Sequence, residues 1–161
     1  MTTKKRVLFV CLGNIVRSPL AENLFYHLAS QRGIEDQFEV DSAGTSAFHV
    51  GEPPDYRMQQ VAAKHGLKYD GRSRQFTRRD FEEFDLIIAM DMSNQNSLYS
   101  LARSDEDKNK VHLMREFDPK GNPMDSVPDP YYGGIKGFEQ AYQIMARSCK
   151  GLLDAIESDQ V

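Results

Sequence analysis

A cysteine and an arginine separated by five residues stand in the segment Cys11-Leu12-Gly13-Asn14-Ile15-Val16-Arg17-Ser18. A thiolate is a strong nucleophile, and a guanidinium is a planar fork that fits two oxygens of a phosphate, which the point charge of a lysine does not match. Between them, Gly13 and Asn14 are residue types that accept unusual backbone angles. Ser18 could hydrogen-bond the sulfur and stabilise it as thiolate and later as a departing thiol. The segment therefore suits binding a phosphate and attacking it. Taken alone, Cys11 would read as a buried core cysteine beside a surface arginine; the spacing, the Arg-Ser pair and the flanking elements outweigh that reading.

Those elements must position the loop. Upstream, Val7-Leu8-Phe9-Val10 is short, continuous and apolar, which predicts a buried strand of a parallel sheet. Downstream, Leu20, Ala21, Leu24, Phe25 and Leu28 recur with helical spacing, and Ser18 and Pro19 are expected to supply the cap and first turn. The loop then lies where a strand ends and a helix begins, so free backbone N–H groups and the helix dipole attract an anion. The same positive potential favours the thiolate form of Cys11.

Further along, residues 38–40 read as a second strand that ends at Asp41-Ser42 and a loop containing Gly44. Pro53-Pro54 precedes a helix over about residues 55–65, stopped by Gly66. Thr77 and Asp80 have the spacing of a capping box opening a short helix. Residues 84–90, with their run Leu86 to Met90, predict a third strand, residues 93–102 a helix, and Val111-His112-Leu113 a fourth strand. Phe138, Tyr142, Met145, Cys149, Leu152 and Ile156 mark one face of a long final helix. Alternating strands and helices predict one α/β domain over residues 1–161, a four-stranded parallel sheet with helices on both faces, its sites at the carboxyl ends of the strands.

Composition narrows the function classes. The net charge of −4 over 161 residues leaves no footprint for nucleic acid, and no apolar run approaches the roughly 18 residues of a membrane-spanning helix. Lys4-Lys5-Arg6 before an apolar run superficially suggests a signal peptide, but Asn14 and Arg17 interrupt the run, which reads as a strand. Two cysteines far apart and four histidines without ligand spacing predict neither a disulfide framework nor a metal site. Arg72 to Arg79 reads as a solvated basic face, and Cys149 as a small buried hydrophobe. The expectation is a soluble, reduced, cytoplasmic protein with no cofactor, no metal, and neither nucleic acid nor membrane as partner. Nothing in the sequence specifies an oligomeric state.

The segment from Cys11 to Pro19, together with Asp41-Ser42-Ala43-Gly44-Thr45, Ala89-Met90-Asp91 and Val127-Pro128-Asp129-Pro130-Tyr131-Tyr132-Gly133-Gly134, resembles the low-molecular-weight protein tyrosine phosphatase family along nearly the whole chain. The resemblance implies hydrolysis of phosphotyrosine in proteins through a cysteinyl-phosphate, with phosphate as product. Cys11 would be the nucleophile, and Arg17 with Ser18 and the loop Leu12, Gly13, Asn14, Ile15 and Val16 would bind phosphate. Asp129 matches the family's general acid; by composition alone an Asp-Pro in a loop is more often a turn. Its flanking Pro128 and Pro130 restrict its backbone. Tyr131 and Tyr132 would wall the pocket, with Phe48 and its neighbour His49 opposite, making a slot too deep for phosphoserine. Asn14 and Ser42 match residues that hydrogen-bond each other and hold the loop open. Asp91 also matches a family position, without a chemical step assigned to it.

Two positions depart from the family. Val16 stands where most members carry a second cysteine able to form a reversible disulfide with the nucleophile, and Gly71 or Arg72 where many have a histidine supporting the loop. The same fold hosts thiol-dependent arsenate reductases and protein arginine phosphatases. The first need further cysteines, and Cys149 is poorly placed to serve. The second tend to have Thr where Ile15 stands and lack the paired tyrosines. A catalytically silent phosphopeptide-binding module would be expected to lose Cys11, Arg17 or Asp129, and all three are present.

Overall fold

The computed structural model describes residues 3–161. Four parallel strands, β1 (Lys5–Cys11), β2 (Phe38–Gly44), β3 (Leu86–Ala89) and β4 (Val111–Leu113), pair in the order β2-β1-β3-β4. Val7, Leu8, Phe9 and Val10 of the central β1 are wholly buried. Val7 and Phe9 enter one core while Leu8 and Val10 enter a second on the opposite face, so the strand carries a continuous apolar run and not an alternation. The larger core lies under α1 (Arg17–Gln31), α2 (Tyr56–Lys64) and α6 (Ile135–Glu157), where Phe25 meets Phe38 edge-on with centroids 5.1 Å apart. The smaller lies under α3 (Asp80–Glu83) and α4 (Met92–Leu101). The expected layers and strand count are those observed.

The differences have local causes. β2 runs on to Gly44, which pairs with Cys11, past Asp41-Ser42, where the sequence places the end of the strand. Those residues are polar because they meet partners on other elements: Arg74 Nε donates to Asp41 at 3.1 Å, and Ser42 to Glu22 at 2.6 Å. α5 (Asp105–Asn109), not foreseen, buries no residue and so has no apolar period; Ser104 caps it by accepting from Asp107 N–H at 3.1 Å. The capping box at Thr77 is half formed. Asp80 accepts from Thr77 N–H at 2.8 Å, but the Thr77 hydroxyl returns no cap bond, and α3 begins after Arg79. The basic stretch is partly structural, since Arg74 also pairs with the buried Asp80 at 3.1 Å. On α6 the expected stripe is buried except for Ile156, which is half-buried. Among the described residues no helix is long and apolar enough to cross a membrane.

Candidate active site

The chain leaves β1 toward β2 on one side and returns to β3 on the other, so the loops after β1 and β3 part and open a crevice at the carboxyl edge. Met90 N–H donates to Val10 O at 3.2 Å and Val127 N–H to Met90 O at 2.8 Å, which draws the segment carrying Asp129 to the same edge.

The loop from Cys11 to Arg17 is held from below and behind. Thr45 and Ser46 N–H donate to Cys11 and Leu12 carbonyls, both at 2.9 Å. A Cβ on Gly44 would stand 2.7 Å from Leu12 O, so only glycine allows this approach. Asn14 sits at φ +56°, the left-handed conformation its residue type tolerates. Its side chain is a hub: Oδ1 accepts from Arg74 N–H at 3.0 Å, and Nδ2 donates to Ser18 Oγ at 2.8 Å and Ser42 Oγ at 3.0 Å. Ser73 adds a bond to Gly13 O at 2.9 Å. Gly71 and Arg72 line a cavity of about 140 Å³ behind the loop with Glu22, Asp41 and Ser42. Loop support therefore comes from Ser73, the Arg74 backbone and the Ser42–Glu22 pair. Burial first of all pushes the Glu22 carboxyl up to about 7 against the bond from Ser42, with Asp41 raising it further and Arg74 opposing. Sequence reasoning missed Glu22, a polar residue on a helix with nothing local to distinguish it.

Cys11 Sγ lies 3.0 Å from Ser18 Oγ and accepts from Asn14 N–H at 3.3 Å. Because Ser18 accepts from Asn14, its own proton is free for the sulfur, which is nearer than Ala43 O at 3.4 Å. Ser18 is thus not the helix cap it was expected to be. α1 begins at Arg17, and Val16 occupies the cap position without a side-chain bond. Its opening amides remain uncapped, as anion binding requires. Among the described residues the N–H groups of Leu12, Gly13, Ile15 and Val16 also meet no protein acceptor.

Arg17 is 3 % exposed. Its Nη1 donates to Asp91 Oδ2 at 2.8 Å and Val127 O at 3.0 Å, and its Nη2 stands 3.6 Å from Asp129 Oδ2. Asp91, left without a role by the sequence, therefore does two things: it orients Arg17 and caps α4 through Asn94 N–H at 2.7 Å. An aspartate immediately before a helical run was the available signal for the cap; nothing local signalled the arginine.

Around these residues lies a pocket of about 330 Å³, lined by Cys11, Leu12, Gly13, Ile15, Val16, Arg17, Ser46, Phe48, His49, Asp129, Tyr131 and Tyr132. Asn14, Ser18 and Ser42 are buried behind the lining. Asp129 Oδ1 accepts from Tyr131 N–H at 3.1 Å. Tyr131 and His49 face each other with centroids 5.9 Å apart, and Tyr132 meets Tyr131 edge-on at 4.9 Å. The wall opposite the tyrosines is His49 more than Phe48. His49, bonded to Glu52 at 2.8 Å, packs over Gly13, where a Cβ would lie 2.9 Å from its ring; Phe48 is 85 % exposed at the rim. Cys149 lies apart, fully buried on α6 and bonded to Ala21 O, its thiol pushed well up by burial.

Residues 6–161 match the family model described as low molecular weight phosphotyrosine protein phosphatase. The chain is similar to the protein of that name from Gallus gallus, 43% identical over 151 residues covering 93% of this chain and 94% of the relative. Its fold is similar to a crystal structure of a protein tyrosine phosphatase from Entamoeba histolytica with Hepes in its active site, at TM-score 0.93 and 36% identity over 98% of this chain and 100% of that one. It is also similar to drosophila arginine phosphatase, at TM-score 0.87 and 37% identity over 95% and 98% of the two chains. Sequence and fold agree over nearly the full length, and the chain belongs to the low molecular weight phosphotyrosine protein phosphatase family.

Proposed function

We propose that the protein hydrolyses phosphotyrosine in proteins through a cysteinyl-phosphate, with Cys11 as nucleophile, Arg17 and the loop amides as phosphate ligands, and Asp129 as general acid and then base. The observation that carries the reading is the placement of Cys11 Sγ, with donors from Ser18 and Asn14, on the floor of the pocket that Arg17 and Asp129 also line. The thiolate attacks phosphorus while protonated Asp129 gives its proton to the phenolic oxygen, so the P–O bond breaks as the S–P bond forms. Water then attacks the cysteinyl-phosphate, the Asp129 carboxylate takes its proton, and the sulfur leaves as a thiolate that accepts the Ser18 hydrogen bond. Charge on the transferring phosphoryl group meets the Arg17 fork and amides already in place, which reduces reorganisation at the moment of reaction. No step calls on a metal or cofactor.

The nucleophile is 3 % exposed between His49 and Tyr131, while Tyr132, expected as a wall, is 97 % exposed and stands with Phe48 at the rim, so a long planar ring suits the slot and a short phosphoserine stem suits it less. A thiolate nucleophile without a neighbouring cysteine suits a reduced, cytoplasmic setting. The test is hydrolysis of matched peptides carrying phosphotyrosine, phosphoserine or phosphoarginine. The reading expects phosphotyrosine to be cleaved with by far the highest kcat/KM. A preference for phosphoarginine would place the activity with that of the drosophila relative, and a preference for phosphoserine would overturn the slot argument.

A further inference from the structure

The two halves of the site are joined by a strut that belongs to neither. Asp55, which caps α2, donates its N–H to Ile15 O in the phosphate loop at 2.6 Å. Its carboxylate holds Arg57 by Nε at 3.2 Å and Nη2 at 3.1 Å. The same Nη2 donates to Tyr131 O at 2.8 Å. The guanidinium lies over two rings, 5.4 Å from the centroid of Tyr131 and 4.5 Å from that of Phe138, which is fully buried on α6. Tyr131 in turn donates its N–H to Asp129. An unbroken chain thus runs from Ile15 through Asp55, Arg57 and Tyr131 to the Asp129 carboxyl.

We propose that Arg57 is a positioning residue for proton delivery: it fixes the Asp129 loop over the phosphate loop, so that the acid meets the leaving oxygen. This rests on the reading of Asp129 as general acid. Pro128 and Pro130 stiffen the loop but have no N–H with which to anchor it. Among the described residues, apart from the local turn bond from Gly133 N–H to Pro130 O at 2.8 Å, polar contact with residues 128–132 from distant parts of the chain is made at two points, the Arg17–Asp129 pair and Arg57 on Tyr131 O. When Arg17 engages phosphate, Arg57 is the anchor that remains. Its ion pair is 39 % exposed on the Arg57 side and 10 % on the Asp55 side, so removing the arginine costs stability as well as geometry, and the dependence on leaving group separates the two. The task needs a fork, because one nitrogen pair must face Asp55 while Nη2 also faces a carbonyl, and lysine meets that only in part.

The experiment measures kcat/KM, which reports the steps through transfer to Cys11, for aryl phosphates ranging from basic leaving groups to ones that need no proton. Arg57→Met keeps the apolar stem and removes the donors. It should lower kcat/KM about tenfold for basic leaving groups, part of the roughly 10²–10⁴-fold a positioned acid supplies, and leave the proton-independent substrates unchanged. Arg57→Lys should recover part of the loss, again only for basic leaving groups. Damage to the fold would lower every substrate equally, and that result, or no effect at all, overturns the proposal. Asp129→Asn is measured in parallel. A steep leaving-group dependence there with a flat response in Arg57→Met removes Arg57 alone; a flat response in Asp129→Asn removes the acid assignment and the strut's role with it.

Discussion

Replacing Glu22 by Gln should change the protein's stability in a way that depends on pH. Glu22 accepts the Ser42 hydroxyl at 2.6 Å behind the phosphate loop, and burial raises its carboxyl from an ordinary 4.5 to about 7. Between those two values the folded protein holds a proton that the unfolded chain has released. Stability from this group is therefore complete below pH 4.5, declines as pH rises toward 7, and is fully lost above it. A shift of that size corresponds to at most about 3 kcal/mol, with partial solvation of the carboxyl reducing it. Gln keeps an acceptor for Ser42 and cannot ionise. Asp118, whose carboxyl Arg147 and its neighbours hold low against a burial penalty, imposes the opposite slope, so only the difference between variant and parent is informative. Urea unfolding at pH 4.5 and pH 8 measures it. The variant should match the parent at the lower pH and exceed it by up to about 3 kcal/mol at the higher. An equal difference at both would show that Glu22 does not titrate in this range and refute the reasoning.

Arg17→Lys should lower kcat/KM by about 10²–10³-fold, because Asp91 and Val127 O occupy Nη1 and a single ammonium cannot face both them and a phosphate; a loss under about tenfold would mean the fork is not used. Asp91→Ser keeps the cap on α4 but leaves the buried Arg17 without its 2.8 Å carboxylate partner, so it should lower stability by up to about 3 kcal/mol and cut kcat by about tenfold. Unchanged kcat in that variant would show that Arg17 needs no anchor from Asp91. Peroxide should inactivate the natural protein irreversibly, since Val16 cannot trap a sulfenic acid on Cys11 and Cys149 is fully buried. Val16→Cys should regain activity when a thiol reductant follows the peroxide, and full recovery of the natural protein would contradict that placement of Cys149.

Much of this could be read from residue types because the fold and the loop are written locally. The continuous run at Val7 to Val10 and the stripe at Phe138 to Leu152 are burial patterns, and both became the central strand and the long helix facing it. Cys11, Arg17 and the Asp-Pro-Tyr-Tyr segment were found by spacing and family resemblance, and the fold brings them to one pocket. What stayed hidden depends on distant contacts. Glu22, Arg57 and the Asp91 contact to Arg17 act through partners 20 to 74 residues away, and no window of sequence holds both ends. Ser18 was misread as a cap because Ser-Pro at a helix start ordinarily is one; here the hydroxyl is turned to the sulfur. His49 was overshadowed by Phe48 because an aromatic at a matching position outweighs its neighbour until burial is known.

The central claim is that phosphorus passes through Cys11, and rapid quenching tests it most directly. Mixed with an aryl phosphate whose leaving group needs no proton and quenched in acid within the first turnover, the protein should release a burst of phenol and carry one phosphoryl group, located on Cys11 by peptide mass spectrometry. The Cys11→Ser variant should show neither burst nor covalent phosphorus. Phosphate on another residue, or phenol release by Cys11→Ser at the parent's rate, would contradict the account.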